Sequence, residues 1–361
     1  MARQAAAMRL EARDRAPFGV LLLAPLAAFA ASLAFAALLV MWSGADALNT
    51  FALVIKGAAG SQFAFLETLT RATPLIFTGL AAAVAFRAKL WNIGAEGQFY
   101  LGAVMTAVLG TGLLLPADAG MPAPLLVPIL LLAGSVAGAL ALLGPTLLKT
   151  RFGVDEVVTT LLLNFIILLF VSLLLEGPLK DPMGLGWPQS PKVVPEAALP
   201  KLVQGRRLHL GFLLAIATAI AVWIVSSRTA FGFEMRAVGH NPRAARFLGM
   251  PVDAVMLKTA LLSGGLAGLA GVSEVAGLKG NLTLDLSPGF GYAGIVVAML
   301  AFLHPLGVVA AAIFVAGVFV GADAMSRSAG VPSYIADVMV ATSLLTMVVA
   351  IMFTRYRLRW R

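Results

Sequence analysis

The chain has 361 residues, of which 60% are apolar and only 12% charged, and its mean hydropathy is +0.95. A soluble domain carries roughly 25% charged residues, so composition excludes that class and implies an all-α, polytopic membrane protein. The formal charge is +9 and there is no cysteine, which excludes disulfides, thiolate metal sites and cysteine nucleophiles.

Apolar runs of about 18 to 25 residues match a hydrocarbon core of about 30 Å at 1.5 Å per helical residue. Such runs predict about ten spans, at 18–42, 66–86, 93–115, 125–148, 157–175, 210–227, 252–276, 289–303, 305–322 and 333–353. Residues 1–17 form a basic segment with Arg3, Arg9, Arg13 and Arg15, and the apolar run behind it reads as a retained first helix. A transmembrane domain over 18–353 follows, and residues 354–361 close the chain with Arg355, Arg357, Arg359 and Arg361. An even number of spans puts both basic ends on one side, and the excess of lysine and arginine makes that side cytoplasmic. Arg87, Lys89, Lys149, Arg151, Arg228, Arg236, Arg243, Arg246 and Lys258 fall on the same side. The positive charge is thus a topology signal, and no nucleic-acid partner is expected.

Two loops differ in kind from the rest. The outer loop 176–209 holds six prolines and charges of both signs, which suits a turn-rich cover that receives an outside partner. The inner loop 228–251 is too polar to cross a bilayer. From Pro242 onward, Ala244, Ala245, Phe247, Leu248 and Met250 alternate with Arg243 and Arg246. That pattern predicts a short amphipathic helix that can dock into a cleft on a cytoplasmic protein.

No GxxxxGK[ST] phosphate loop, HExxH or GxSxG occurs, so no ATPase, metalloprotease or hydrolase centre is read. Gly289 to Gly294 spells GFGYAG, a GxGxxG string without the βαβ context of a dinucleotide site, and close helix packing explains it better. Ser263 to Gly271, SGGLAGLAG, is likewise a small-residue helix face with Gly264 and Gly268 spaced for tight contact. His209, His240 and His304 are too scattered for a metal.

Polar groups inside apolar runs carry the functional argument. An ionised side chain in a span costs at least about 2.5 to 3.5 kcal/mol, so it faces protein or water. LWNIGAEGQ, Leu90 to Gln98, places Asn92, Glu96 and Gln98 between two spans; Asn164, Glu274, Asp323 and Asp337 lie in later ones. Asn92, Glu96, Gln98, Asn164 and Glu274 are the candidates for a substrate pathway, with helix capping or interhelical hydrogen bonding as the alternative for each. The gap from Phe86 to Asn92 is short enough for a broken or re-entrant helix near residue 93.

LWNIGAEGQFYLGA, GVDEVVTTLLLNFI (Gly153 to Ile166) and AVGHNPRAARFLGM (Ala237 to Met250) resemble the permease subunit of bacterial ABC importers. The likeness is to the nucleoside-type branch of the group that includes ribose, galactose and branched-chain amino acid permeases, and it covers about residues 66 to 350. It implies that Gly239, Asn241, Ala244, Ala245 and Gly249, in the pattern GxNxxAAxxxG, form the coupling helix that sits on a cytoplasmic ATPase. It also implies a second, homologous permease in a heterodimer, a periplasmic or lipoprotein solute receptor, and a place in the bacterial inner membrane. The chain itself would be no enzyme and bind no cofactor, ATP and Mg²⁺ residing on the ATPase. Nucleosides are the expected cargo. A simple sugar, riboflavin or a branched-chain amino acid is the alternative, as is, in another class, an ion-coupled secondary transporter.

Overall fold

The computed structural model describes residues 8–12, 17–42, 44, 46–112, 122–330 and 356–360, with a few single positions between 338 and 349. The expected last span, 333–353, and Asp337 therefore lie outside the described residues. Apart from one short strand pair the described chain is helical. Its helices are α1 (Phe18–Trp42), α2 (Ala47–Ala59), α3 (Gln62–Arg87), α4 (Ala95–Gly110), α5 (Ala123–Phe152) and α6 (Glu156–Glu176). After a long loop come α7 (Gly211–Arg228), α8 (Ala230–His240), α9 (Pro242–Phe247), α10 (Val252–Glu274), α11 (Phe290–Leu300) and α12 (Pro305–Ala329).

Six of the described helices are long and apolar enough to cross a membrane: α3, α5, α6, α7, α10 with its extension to Lys279, and α12. Two expected spans come out shorter. The 93–115 run yields 16 residues of helix in α4, and the 289–303 run yields 11 in α11, about 16 Å at 1.5 Å per residue. Hydropathy registers how apolar a segment is and not whether its backbone stays helical, so the run around α11 reads as a span although its helix is only 11 residues long. Two features were not anticipated. One is α2, whose Asp46 cap accepts the Leu48 amide at 3.1 Å. The other is one short antiparallel pair, Met8–Ala12 (β1) with Tyr356–Trp360 (β2), which leaves the fold class all-α.

The chain divides into two compact units, residues 1–64 with 317–361, and residues 65–316. In the first, Ala36, Val40, Ala322 and Met325 form a small buried core against Phe51, Val54 and Phe319. Its tightest approach is α2 on α12, where a Cβ added at Gly57 would overlap Ala324.

The second unit is built on a glycine seam. Gly102 of α4, Gly134 and Gly138 of α5, and Gly264, Gly268 and Gly271 of α10 bring backbone onto backbone. A Cβ at Gly268 would collide with the Gly134 carbonyl, and one at Gly271 with the Phe99 carbonyl. Small residues are the means by which membrane helices gain van der Waals contact, because lipid offers no hydrophobic drive for their association.

Helix ends segregate into two faces. At one, the loop after α6 crosses the ends of α3, α4 and α10: Arg207 meets Glu67 at 3.0 Å, Val194 N–H donates to Gly110 O at 2.7 Å and Leu199 N–H to Ala276 O at 2.8 Å. We call this the loop face. At the opposite, α9 face, Lys149 at the end of α5 pairs with Glu156 at the start of α6 and reaches Lys89 O at 3.2 Å. There α8 also seats Gly239 so closely on Arg87 that a Cβ would strike its carbonyl.

Candidate functional site

The LWNIGAEGQ segment is the irregular link between α3 and α4. Lys89 takes a left-handed φ of 53°, the chain runs without helix to Gly94, and α4 begins at Ala95. Its exposed backbone groups need partners, and buried polar side chains supply them. Trp91 N–H donates to Glu156 Oε1 at 3.2 Å and Ile93 N–H to Thr160 Oγ1 at 3.3 Å. Asn92, fully buried, accepts from Gly94 N–H at 3.0 Å and exchanges two 2.9 Å bonds with Gln98, while its second amide hydrogen reaches Ser263 Oγ at 3.0 Å. Ser263 in turn donates to Ala81 O at 2.8 Å.

Asn164 clamps the same link from α6. Its Oδ1 accepts from Gly97 N–H at 2.8 Å, and its Nδ2 donates to Ile93 O at 2.9 Å and to the Tyr292 hydroxyl at 3.2 Å. Glu96, 4% exposed in the first turn of α4, points at a different helix: its Oε2 accepts from Gly291 N–H at 2.7 Å and it bonds the Ser287 side chain. A carboxylate at that place caps the start of α11 and complements its positive end.

The five residues read as pathway candidates therefore do not form one open site. Asn92, Glu96, Gln98 and Asn164 are drawn together as a buried brace joining α4, α6, α10 and α11. Both amide hydrogens of Asn92 and of Asn164 are used within the protein. Glu274 lies apart, fully enclosed near the loop face at the end of α10, where the charges of Arg71, Lys279, Arg207 and Glu67 act on it.

The residues after Glu274 were not recognised as special in the sequence. Val275–Lys279 winds as a π-helical turn, Gly280 leaves it at φ 80°, and residues 281–289 are irregular. Loop 176–209 straps the upper part of this stretch, with Ser190 N–H donating to Leu282 O at 2.9 Å and Val193 N–H to Gly280 O at 2.8 Å. Lower down, Tyr100 Oη donates to Leu284 O at 2.5 Å and accepts from Ser287 N–H at 3.4 Å. Ser287 Oγ accepts from Gly289 and Phe290 N–H at 3.1 and 2.8 Å, which starts α11. The signal that could have found it is the short polar string NLTLDLSPG between two apolar runs. The brace partners Glu156, Thr160, Ser263 and Tyr292 lie in strings that stand out in the sequence, but nothing there marks them as partners of the link, since that role comes only from what the fold sets opposite them.

On the α9 face four of the five letters of GxNxxAAxxxG have a separate physical task. Gly239 permits the contact with Arg87. Asn241 caps α9, its Oδ1 accepting from Arg243 and Ala244 N–H at 3.1 Å each. Ala245 is the buried contact of α9, Ala244 is exposed, and Gly249 ends the turn with φ 81°, a conformation that strains other residues. Phe247 and Leu248 stand 91% and 73% exposed beside Arg243. The short helix expected from Pro242 onward is present as this six-residue turn.

Against known proteins, the family described as branched-chain amino acid transport system / permease component matches residues 64–354. The glucose ABC transporter permease protein TsgB13 of Haloferax volcanii is 34% identical over 97% of this chain and 93% of its own. The guanosine ABC transporter permease protein NupP of Bacillus subtilis is 34% identical over 90% of this chain and 92% of its own. The nucleoside ABC transporter permease protein NupB of Lactococcus lactis is 29% identical over 88% of each. With that match and six described helices long and apolar enough to cross a membrane, the chain belongs to the branched-chain amino acid transport system / permease component family, as a multi-pass membrane permease.

Proposed function

We propose that the protein is the permease subunit of an ABC importer for nucleosides, with its α9 face in the cytoplasm. The observation that carries the cargo assignment is near full-length similarity to a guanosine permease and a nucleoside permease. Coupling to a separate ATPase, where ATP and Mg²⁺ act, runs through Gly239, Asn241, Ala244, Ala245 and Gly249. A capped, glycine-bounded turn seated on the end of α3 is suited to pass a push into the spans. A second permease subunit completes the pathway, a reading supported by relatives in two pairs, NupB with NupC in Lactococcus lactis and NupP with NupQ in Bacillus subtilis. A solute receptor docks on the loop face. Asn92, Glu96, Gln98 and Asn164 hold the pathway wall in place, and Glu274 stabilises its loop end.

The test is uptake of labelled guanosine by membranes holding the assembled transporter. Excess unlabelled uridine or adenosine should compete, and glucose at the same excess should not. Uptake of glucose without guanosine would replace this reading with that of a sugar importer, the alternative that the TsgB13 likeness favours.

A further inference from the structure

Residues 281–289 pose a physical problem that the buried brace does not solve. Tyr100 lies in the second turn of α4, about 15 Å below Gly110 and the loop face at 1.5 Å per residue. The neighbouring Phe99 carbonyl packs on Gly271 of α10, well inside a membrane-crossing helix. The bonds from Tyr100 to Leu284 and Ser287 fix non-helical backbone at that depth. Irregular backbone is tolerated inside a bilayer only where protein buries it or water reaches it. Here it is not fully buried: Leu284, Asp285, Pro288 and Tyr292 are exposed.

Asp285 makes the choice between lipid and water. Its carboxylate has no hydrogen bond or ion pair among the described residues, and a charge turned to lipid costs at least about 2.5 to 3.5 kcal/mol. The same short stretch of chain carries the Tyr292 ring, 40% exposed, with its hydroxyl held by Asn164, and the exposed Pro288 ring. A carboxylate accepts hydrogen bonds from sugar hydroxyls or from ring N–H groups, and a fixed aromatic face stacks on a planar base. We propose that Asp285 and Tyr292 form a solute-contact station on the wall of the water-filled pathway, Asp285 accepting from hydroxyl or N–H donors of the passing nucleoside and Tyr292 stacking on its base. This assignment rests on the nucleoside-importer reading for its ligand, and on burial and depth for its place.

The chain lacks cysteine, so single-cysteine variants need no prior editing. In the assembled transporter, Asp285→Cys and Tyr292→Cys should react with a charged, membrane-impermeant thiol reagent. Leu169→Cys, on the exposed apolar side of α6, should not. Guanosine present during turnover should slow labelling at both positions several-fold. Asp285→Ala should cut guanosine uptake on the order of tenfold, as loss of a charged hydrogen-bond acceptor does, with Asp285→Asn intermediate. No labelling of Asp285→Cys in correctly assembled protein overturns the station, because the carboxylate is then covered by a partner subunit. Labelling that neither guanosine nor glucose slows overturns contact with solute. If glucose protects and guanosine does not, the station stands and the nucleoside reading fails.

Discussion

Asn164 shows why a buried amide in a span is ambiguous in sequence and plain in structure. Its three bonds tie the 88–94 link, the first turn of α4 and the Tyr292 hydroxyl to α6, so removing the side chain leaves Gly97 N–H and Ile93 C=O without that partner. Each buried group so orphaned costs about 1 to 3 kcal/mol. Asn164→Ala should lower the melting temperature of the detergent-purified complex by several degrees. A variant that melts normally but fails in uptake would make Asn164 a solute ligand instead. His209, in loop 176–209, is a second residue whose role needs the fold. It is 1% exposed, wedged between Gly211 and Gly277, and its Nδ1 accepts from Gly211 N–H at 3.2 Å. Burial, and secondarily the charge of Lys201, pushes its pKa down to about 4 from 6.5. The unfolded chain therefore binds the proton first on acidification, so the stabilisation is complete above about pH 6.5 and is lost as pH falls to about 4. That is worth about 3 kcal/mol in all. Melting temperature should drop across this window, and His209→Gln should flatten the dependence.

At the level of elements, what sequence could show depended on whether a signal was local. The glycines of SGGLAGLAG announce a close contact by their spacing, and Gly264 and Gly268 do lie in the seam; that they meet Gly134 and Gly138 of α5 was not readable. GxNxxAAxxxG stands out by its resemblance to ABC permeases, and its capping, burial and left-handed exit all fall within one short segment. The half-helix α11 was not. Its apolar composition matches a span, whereas its start is set by Glu96 and Ser287, and the first of these is far away in sequence. The seam gives a direct comparison. Gly268→Val puts branched carbon onto the Gly134 carbonyl and should prevent a stable, monodisperse protein. Gly144→Val on α5, where an added Cβ meets nothing within 4 Å, should be purified in normal yield. Equal behaviour of the two in size-exclusion chromatography would mean that α4, α5 and α10 do not pack as described.

In the second unit the ion pairs Lys149–Glu156, Arg207–Glu67 and Arg246–Asp253 lie at the two faces, and the α9 face is the one proposed to meet the ATPase. Phe247 is the most exposed large apolar side chain on α9, so its removal takes almost nothing from the fold; surface substitutions typically fall within about 0.5 kcal/mol. Burying a phenylalanine in a partner's cleft is worth about 1.5 to 3 kcal/mol. Phe247→Asp should therefore leave membrane insertion and melting unchanged while weakening retention of the ATPase about ten- to a hundredfold, with a matching loss of uptake. Gly239→Val should behave differently, because it forces α8 off Arg87 and disturbs the permease itself. Capture of the ATPase by tagged permease, measured beside thermal melting, separates the two. If Phe247→Asp retains the ATPase and transports normally, α9 is a structural turn and the energy of hydrolysis enters elsewhere.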